Sequence, residues 1–354
     1  MSCSIERLLA ETLERNGSDL HLSVGIPAAI RIDGGLRFVG EAITPAEHRE
    51  MLSAILSPEQ METLQRDKEL DFCFTFRTAE ERGSRFRGNC AFERGNFCTA
   101  LRVITSGIRT AKELMLPRTI GDIANRVRGL FLVTGPTGSG KSTTLAAIIQ
   151  QINMTRYCHI VTIEDPIEYL YTSERSVIHQ REIGSDTKSY SEALRRALRQ
   201  DPDVILIGEM RDLETISAAV TAAETGHLVL GTLHTPDAPQ TIDRIIDVFP
   251  PHQQQQVRMQ VANVLVGICS QQLLPLPHGG RMVATELLLA NAAIRNTIRE
   301  AKTSQIKGLM QTGSTQGMHT MDQDLARLVS EGYITRNDAL VYSYDQKELE
   351  RLIG

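Results

Sequence analysis

The segment Gly135-Pro136-Thr137-Gly138-Ser139-Gly140-Lys141-Ser142 fits the pattern G-x-x-x-x-G-K-[ST], whose residue types suit a polyphosphate. Glycines let backbone N–H groups turn toward phosphate oxygens with no Cβ in the way. A helix starting after the loop adds the partial positive charge of its N-terminus. In this pattern Lys141 reaches the β- and γ-phosphates, and Ser142 is placed to ligate Mg²⁺. The apolar run 130–134 supplies the strand that must precede such a loop.

Three further segments carry chemistry-bearing side chains. In Asp203-Val204-Ile205-Leu206-Ile207-Gly208-Glu209 a buried strand ends in a carboxylate. Asp203 lies before the apolar run, at the wrong end, so Glu209 is the candidate for the Mg²⁺ shell. In Thr162-Ile163-Glu164-Asp165-Pro166-Ile167-Glu168 three carboxylates fall within five residues after another apolar strand. One of them could polarise an attacking water; the alternative is a solvated acidic loop. His227 and His234 stand seven residues apart around the run 228–230. Their imidazoles could sense a γ-phosphate or bridge to a carboxylate, or be structural. Arg85, Arg87, Arg94 and Arg102 crowd the last strands of the first 105 residues, where they could act as charge-assisted phosphate donors or lie on an exposed sheet face.

The elements that must position these residues follow from periodicity. Residues 130–134, 159–163, 204–207 and 228–230 are short apolar runs, mostly separated by helical stretches. That alternation predicts a largely parallel sheet covered by helices, an α/β fold. Residues 1 to about 105 read instead as a small α+β unit. Residues 5–14 are helical in pattern, and Asp33-Gly34-Gly35 is a hairpin signal. Thr44-Pro45-Ala46-Glu47 and Ser57-Pro58-Glu59-Gln60 have the form of helix-starting capping boxes. Leu70, Phe72, Phe74 and Phe76 alternate as in a half-buried strand, and two more strands flank Arg94-Gly95-Asn96. Residues 106–122 read as a connection, and beyond about residue 290 the pattern is helical only. Gln253 to Gln256 form the wet face of a helix beginning near Pro251.

Composition narrows the classes. The chain has 354 residues, 41% hydrophobic, with 26 Gly and 23% charged residues, which excludes disordered, collagen-like and disulfide-scaffold classes. Formal net charge is −5, Trp is absent and aromatics make up 5%, so no nucleic acid partner is expected. The six cysteines form no C-x-x-C pair, which suits free thiols in a reducing compartment rather than zinc. The N-terminus has no basic and apolar leader pattern. No stretch approaches the ~20 apolar residues of a membrane helix, so no integral membrane segment is expected and the default address is cytoplasmic.

Taken together, 135–143, 162–169, 203–212 and 226–235 resemble the Walker A, Asp, Walker B and His boxes of secretion and type IV pilus ATPases. Across essentially the whole chain the sequence is similar to the twitching-motility retraction ATPases (PilT type) of that superfamily. Gly17-Ser18-Asp19-Leu20-His21-Leu22-Ser23, Ala293-Ile294-Arg295-Asn296-Thr297-Ile298-Arg299-Glu300 and Gly317-Met318-His319-Thr320-Met321-Asp322 add support. The resemblance implies a PAS-like domain over 1–105, a linker over 106–122 and a RecA-like ATPase domain over 123–354. It implies a homohexamer that binds ATP and Mg²⁺ and couples hydrolysis to pilus retraction. The implied partners are an inner-membrane pilus platform protein and related pilus ATPases, with the protein peripheral to that membrane.

By the same resemblance Thr143 belongs to the nucleotide loop, Glu209 supports Mg²⁺ and Glu164 activates water. His227 and His234 both act at the site, and Arg87, Arg94 and Arg102 reach nucleotide phosphate. The alternatives are a pilus extension or type II secretion ATPase and an accessory retraction paralogue. Extension and secretion ATPases usually carry a tetracysteine zinc insertion, whereas 269–286 holds one cysteine. Thr297 stands where the family's C-terminal motif usually has Leu. Ile294, Thr297, Ile298 and Ala301 share one helical stripe, which either contacts the retraction machinery or packs in the core.

Overall fold

The computed structural model describes residues 4–32, 34–77, 83–104, 107–276 and 280–354. They fall into two units, Met1–Gly107 with Glu168–Leu170, and Ile108–Ile167 with Tyr171–Gly354.

The first unit contains six strands: β1 (Asp19–Ser23), β2 (Pro27–Ile32), β3 (Gly35–Ala42), β4 (Glu69–Arg77), β5 (Gly83–Glu93) and β6 (Asn96–Ile104). They form an antiparallel sheet in the order β3-β2-β1-β6-β5-β4. Helices Pro45–Ile55 and Pro58–Asp67 begin at capping boxes built on Thr44 with Glu47 and on Ser57 with Gln60. Each box satisfies two backbone N–H groups that the first helical turn leaves unpaired. Leu20, Leu22, Ile30, Leu52, Phe86 and Leu101 fill the core. Gly88 is required by close packing, because a Cβ there would stand 2.3 Å from Phe72 Cζ. Strands β2 and β3 pair across the expected hairpin, with Ile32 opposite Gly35; Asp33 of its turn lies outside the described residues.

The second unit holds β7 (Gly129–Thr134), β8 (His159–Glu164), β9 (Val177–Glu182), β10 (Val204–Ile207), β11 (Leu228–Leu233), β12 (Leu265–Pro275) and β13 (Arg281–Leu289). The sheet order is β13-β12-β7-β11-β10-β8-β9. Only the β12–β13 pair is antiparallel. Alternate residues of the same strands feed two cores. Leu130, Leu132, Ile163, Ile205 and Val229 face one way, and Phe131, Val133, Ile160, Leu206 and Leu230 the other. A sheet covered on both faces needs such continuous apolar runs.

Strands β9, β12 and β13 extend the sheet beyond the four apolar runs that the pattern marks. β9 reads VIHQRE, an edge strand too polar to stand out. β12 carries Ser270, Gln271 and Gln272 inside an otherwise apolar run. The stretch expected as a connection contains the helix Arg118–Ile123, which buries Ile120 and Ile123. The helix Pro251–Val264 begins where expected, and Gln253, Gln255 and Gln256 are exposed on it. Residues 277–279, within the turn expected over 275–280, lie outside the described residues. So does Cys3; the other five cysteines form no disulfide among the described residues.

The helix Ala292–Arg299 favours core packing over a partner surface for the stripe residues it carries, Ile294, Thr297 and Ile298. Ile294 and Ile298 are fully buried in the core, and Thr297 is 8% exposed. The Thr297 hydroxyl donates to the Ala293 carbonyl at 2.9 Å. Arg295 donates to the carbonyls of Asn263 and Leu265 at 2.6 and 2.7 Å, closing the C-terminal end of the Pro251–Val264 helix, whose last carbonyls have no intrahelical partner. Packing and helix capping account for these residues.

Candidate nucleotide site

The loop 135–140 joins the end of β7 to the helix Lys141–Thr155. Gly135, Gly138 and Gly140 have φ of 133°, 80° and 90°, a region that side-chain-bearing residues rarely adopt. At Gly135 space decides as well: a Cβ would stand 2.3 Å from the Gln271 carbonyl oxygen on β12. Two side-chain links pin this end of the sheet to β12. Thr134 donates to the Ser270 hydroxyl at 2.9 Å, and Gln271 Nε2 donates to Thr144 Oγ1 at 2.8 Å. The Ser139 hydroxyl is buried in the loop and has no hydrogen-bond partner. Lys141, 8% exposed, donates through Nζ to the carbonyls of Gly135 and Pro136, each at 2.9 Å. Pro136 and Thr137 complete the loop, and Ser142 and Thr143 follow in the first helical turn, half-buried. A cradle too tight for a Cβ, an orphaned hydroxyl and an ammonium folded over the loop fit a bound phosphate chain.

Two carboxylates stand beyond the neighbouring strand tips. Glu164, the last residue of β8, is 9% exposed. Its Oε1 accepts from Thr162 Oγ1 at 2.6 Å and from Gln180 Nε2 of β9 at 3.3 Å. Glu209 follows β10 by two residues and is oriented by Arg211 and by His234 Nε2, the latter 3.2 Å away. The Met210 N–H donates to the Thr232 carbonyl of β11 at 3.0 Å, which fixes the Glu209 turn. Between the two carboxylates Gly208 has no room for a side chain. Its Cβ would meet Tyr190 Oη, the Ile163 carbonyl and Glu164 Cα at 3.1, 3.2 and 3.3 Å. Burial, then the charges of Asp165, Glu209 and Glu164, push the Tyr190 hydroxyl above its ordinary range.

The two histidines part company. His234 follows β11 at the phosphate-loop edge and touches Glu209. His227 precedes β11, where its N-terminal neighbour pairing is Leu228 with Gly129. That is about 20 Å from the loop at ~3.3 Å per residue. His227 Nδ1 donates to the Ala222 carbonyl at 2.8 Å, closing the helix Leu213–Glu224. The expectation that both histidines act at one site therefore fails for His227 within this chain, because a strand holds its two ends at opposite edges. Asp203 sits at that far edge too, where its Oδ2 accepts from the His159 N–H at 2.8 Å.

The arginines lie in the first unit. Arg87 points outward from β5, flanked by the buried Phe86 and Gly88. Arg94 and Gly95 form the β5–β6 turn with φ of 50° and 81°, the geometry of a two-residue hairpin. Arg102 Nε donates to Asp19 Oδ1 at 2.8 Å. Burial alone would raise the Asp19 carboxyl, but hydrogen bonds from Ser18 and Arg102 and the Arg102 charge bring it below the ordinary range. Periodicity and motifs do not mark Gln180, Tyr190 or Gln271; for the two glutamines, polar residues inside β9 and β12 are the available signal.

A phosphate-type loop and two carboxylates at the C-terminal edge of a parallel sheet define a P-loop α/β protein, the arrangement in which such folds bind ligands. The family model for Type II/IV secretion system proteins matches residues 99–341, and the chain belongs to that family. It is 45% identical over 338 residues to the "Type IV pilus retractation ATPase PilT" of Pseudomonas aeruginosa, covering 95% of this chain and 96% of that one. It is 48% identical over 308 residues to a "Twitching motility protein" of Neisseria gonorrhoeae, covering 86% and 81%. A crystal structure of "the Pilus Retraction Motor PilT and Bound ADP" superposes with a TM-score of 0.92 at 48% identity, covering 99% of each chain.

Proposed function

We propose that this chain is an ATPase that drives type IV pilus retraction. The observation that carries the reading is convergence: Lys141, Glu164, Glu209 and His234 all lie at one edge of the sheet, in a chain similar along its length to retraction ATPases. Lys141 neutralises the β- and γ-phosphates, and the loop N–H groups and Ser139 hold their oxygens. Ser142 and Glu209 offer the hard oxygen donors that suit Mg²⁺, which keeps few protein ligands and binds mainly phosphate and water. When bound, the metal offsets phosphate charge. Glu164, held by Thr162 and Gln180, orients the attacking water and takes its proton. His234 fixes Glu209, and Arg211 supports the same carboxylate. His227 is assigned to helix closure, outside the chemistry.

The working form in this proposal is a homohexamer on an inner-membrane pilus platform, with the protein on the cytoplasmic side. Family resemblance supports that part, and no helix among the described residues is long and apolar enough to cross a membrane. Turnover per chain should rise with protein concentration as rings form; a monomer with full activity would remove the ring. Deletion in a piliated host tests direction. Bundled pili that do not retract are expected, and loss of pili would point to assembly instead.

A further inference from the structure

The His234 loop is held from behind by the C-terminal helices. After His234 the chain passes through Thr235 and Pro236 to Asp237, which caps the helix Ala238–Asp247. Tyr344, 108 residues away in sequence, donates from Oη to the Pro236 carbonyl at 2.9 Å. Tyr344 is itself anchored. The fully buried Asp322 accepts from the Tyr344 N–H at 3.0 Å and from the Ser343 hydroxyl at 2.7 Å through the same oxygen. Lys307 Nζ lies 3.7 Å from the other Asp322 oxygen. A second strut meets the chain two residues further on, where Glu286 Oε1 accepts from the Ala238 N–H at 2.8 Å.

Two peptide units separate His234 from Pro236, a span of at most ~7 Å. A shift of the Pro236 carbonyl therefore moves the imidazole that orients Glu209. Glu286 holds the helix start and the Thr241 hydroxyl meets that of Thr235 at 2.6 Å, while Tyr344 holds the Pro236 carbonyl from the C-terminal side. We infer that Tyr344 is a positioning residue for hydrolysis: its hydroxyl, anchored through Asp322, sets His234 against Glu209. It thereby links the C-terminal helices to the site. The inference rests on the ATPase reading above.

Tyr344→Phe tests it, because the ring stays and only the hydroxyl leaves. Phosphate release is measured against Mg-ATP concentration for wild type and variant, beside a thermal melt of each. The inference predicts kcat lower by roughly three- to tenfold, the net worth of one hydrogen bond. KM for ATP should stay within about twofold, since the phosphate loop is untouched. The melting midpoint should stay within about 2 °C, as expected for a small change in a chain of this size. Wild-type kcat in the variant would overturn the inference. So would a drop in the midpoint with kcat unchanged, or a fold too damaged to assay, since either makes the hydroxyl merely structural. If wild type itself releases no phosphate, the ATPase reading fails and not this inference alone.

Discussion

The two edges of the seven-stranded sheet contain similar residues and do different work. At the C-terminal edge Lys141 folds over a loop built from left-handed glycines, Glu164 ends β8 and His234 meets Glu209. At the N-terminal edge the Asp203 carboxylate accepts from a backbone N–H, and His159 and His227 each turn Nδ1 toward a backbone carbonyl. The difference comes from strand direction. In a parallel sheet all C-terminal ends share one edge, and the helices that follow point their N-termini there. The opposite edge receives helix C-termini, whose free carbonyls need donors. A histidine thus meets the Glu209 carboxylate or caps a helix according to which end of β11 it occupies.

The largest effect should come from the loop. Lys141→Ala is expected to lower phosphate release by roughly 10³-fold, because a fixed charge on the reacting phosphates is lost. Next comes the pair of histidines, which tests the two edges against each other. His234→Ala should lower kcat by roughly 10²-fold with the fold intact. His227→Ala should leave kcat within about twofold and cost about 1 kcal/mol of stability, seen in denaturant melts. Equal losses of turnover would erase the distinction between the edges.

The active edge also buries an acid. Glu286 is raised from 4.5 to about 7 by burial, with the charge of Asp237 adding to it. A carboxyl raised on folding contributes stability that is complete below about pH 4.5 and lost as pH rises through about 7. The stability of wild type relative to Glu286→Gln should therefore fall between pH 5 and 8. The shift corresponds to on the order of 3 kcal/mol, and a flat difference curve would contradict it. The smallest effect belongs to Thr297→Leu. Because Thr297 is buried and back-bonded, the added volume of Leu should cost about 1–3 kcal/mol of stability and leave turnover within about twofold. Turnover and motility should then move together; motility changing alone would restore the partner-surface reading.

Local signals carried much of this molecule. The capping boxes at Thr44 and Ser57, the four apolar runs and the phosphate loop are legible because each needs only neighbours in sequence. Glu164 and Glu209 are legible because a carboxylate just beyond a buried strand has few other places to be. What stayed hidden depends on long-range partners. Nothing near His227 tells which edge it serves until β11 is paired with β7. The stripe at 294–301 has the same periodicity whether it meets a partner or the core behind β12. Gln271, Gln180 and Tyr344 act on residues 127, 16 and 108 positions away.

The central claim is that one edge of the sheet hydrolyses ATP and that its loop is the seat of that activity. Steady-state phosphate release by the purified wild-type chain and by Lys141→Ala, at matched protein concentration with Mg-ATP, tests it most directly. Wild type should show turnover that saturates with ATP, and the variant none above background although its melting curve is unchanged. Equal release by the two proteins, or none from wild type at concentrations where it assembles, would contradict it.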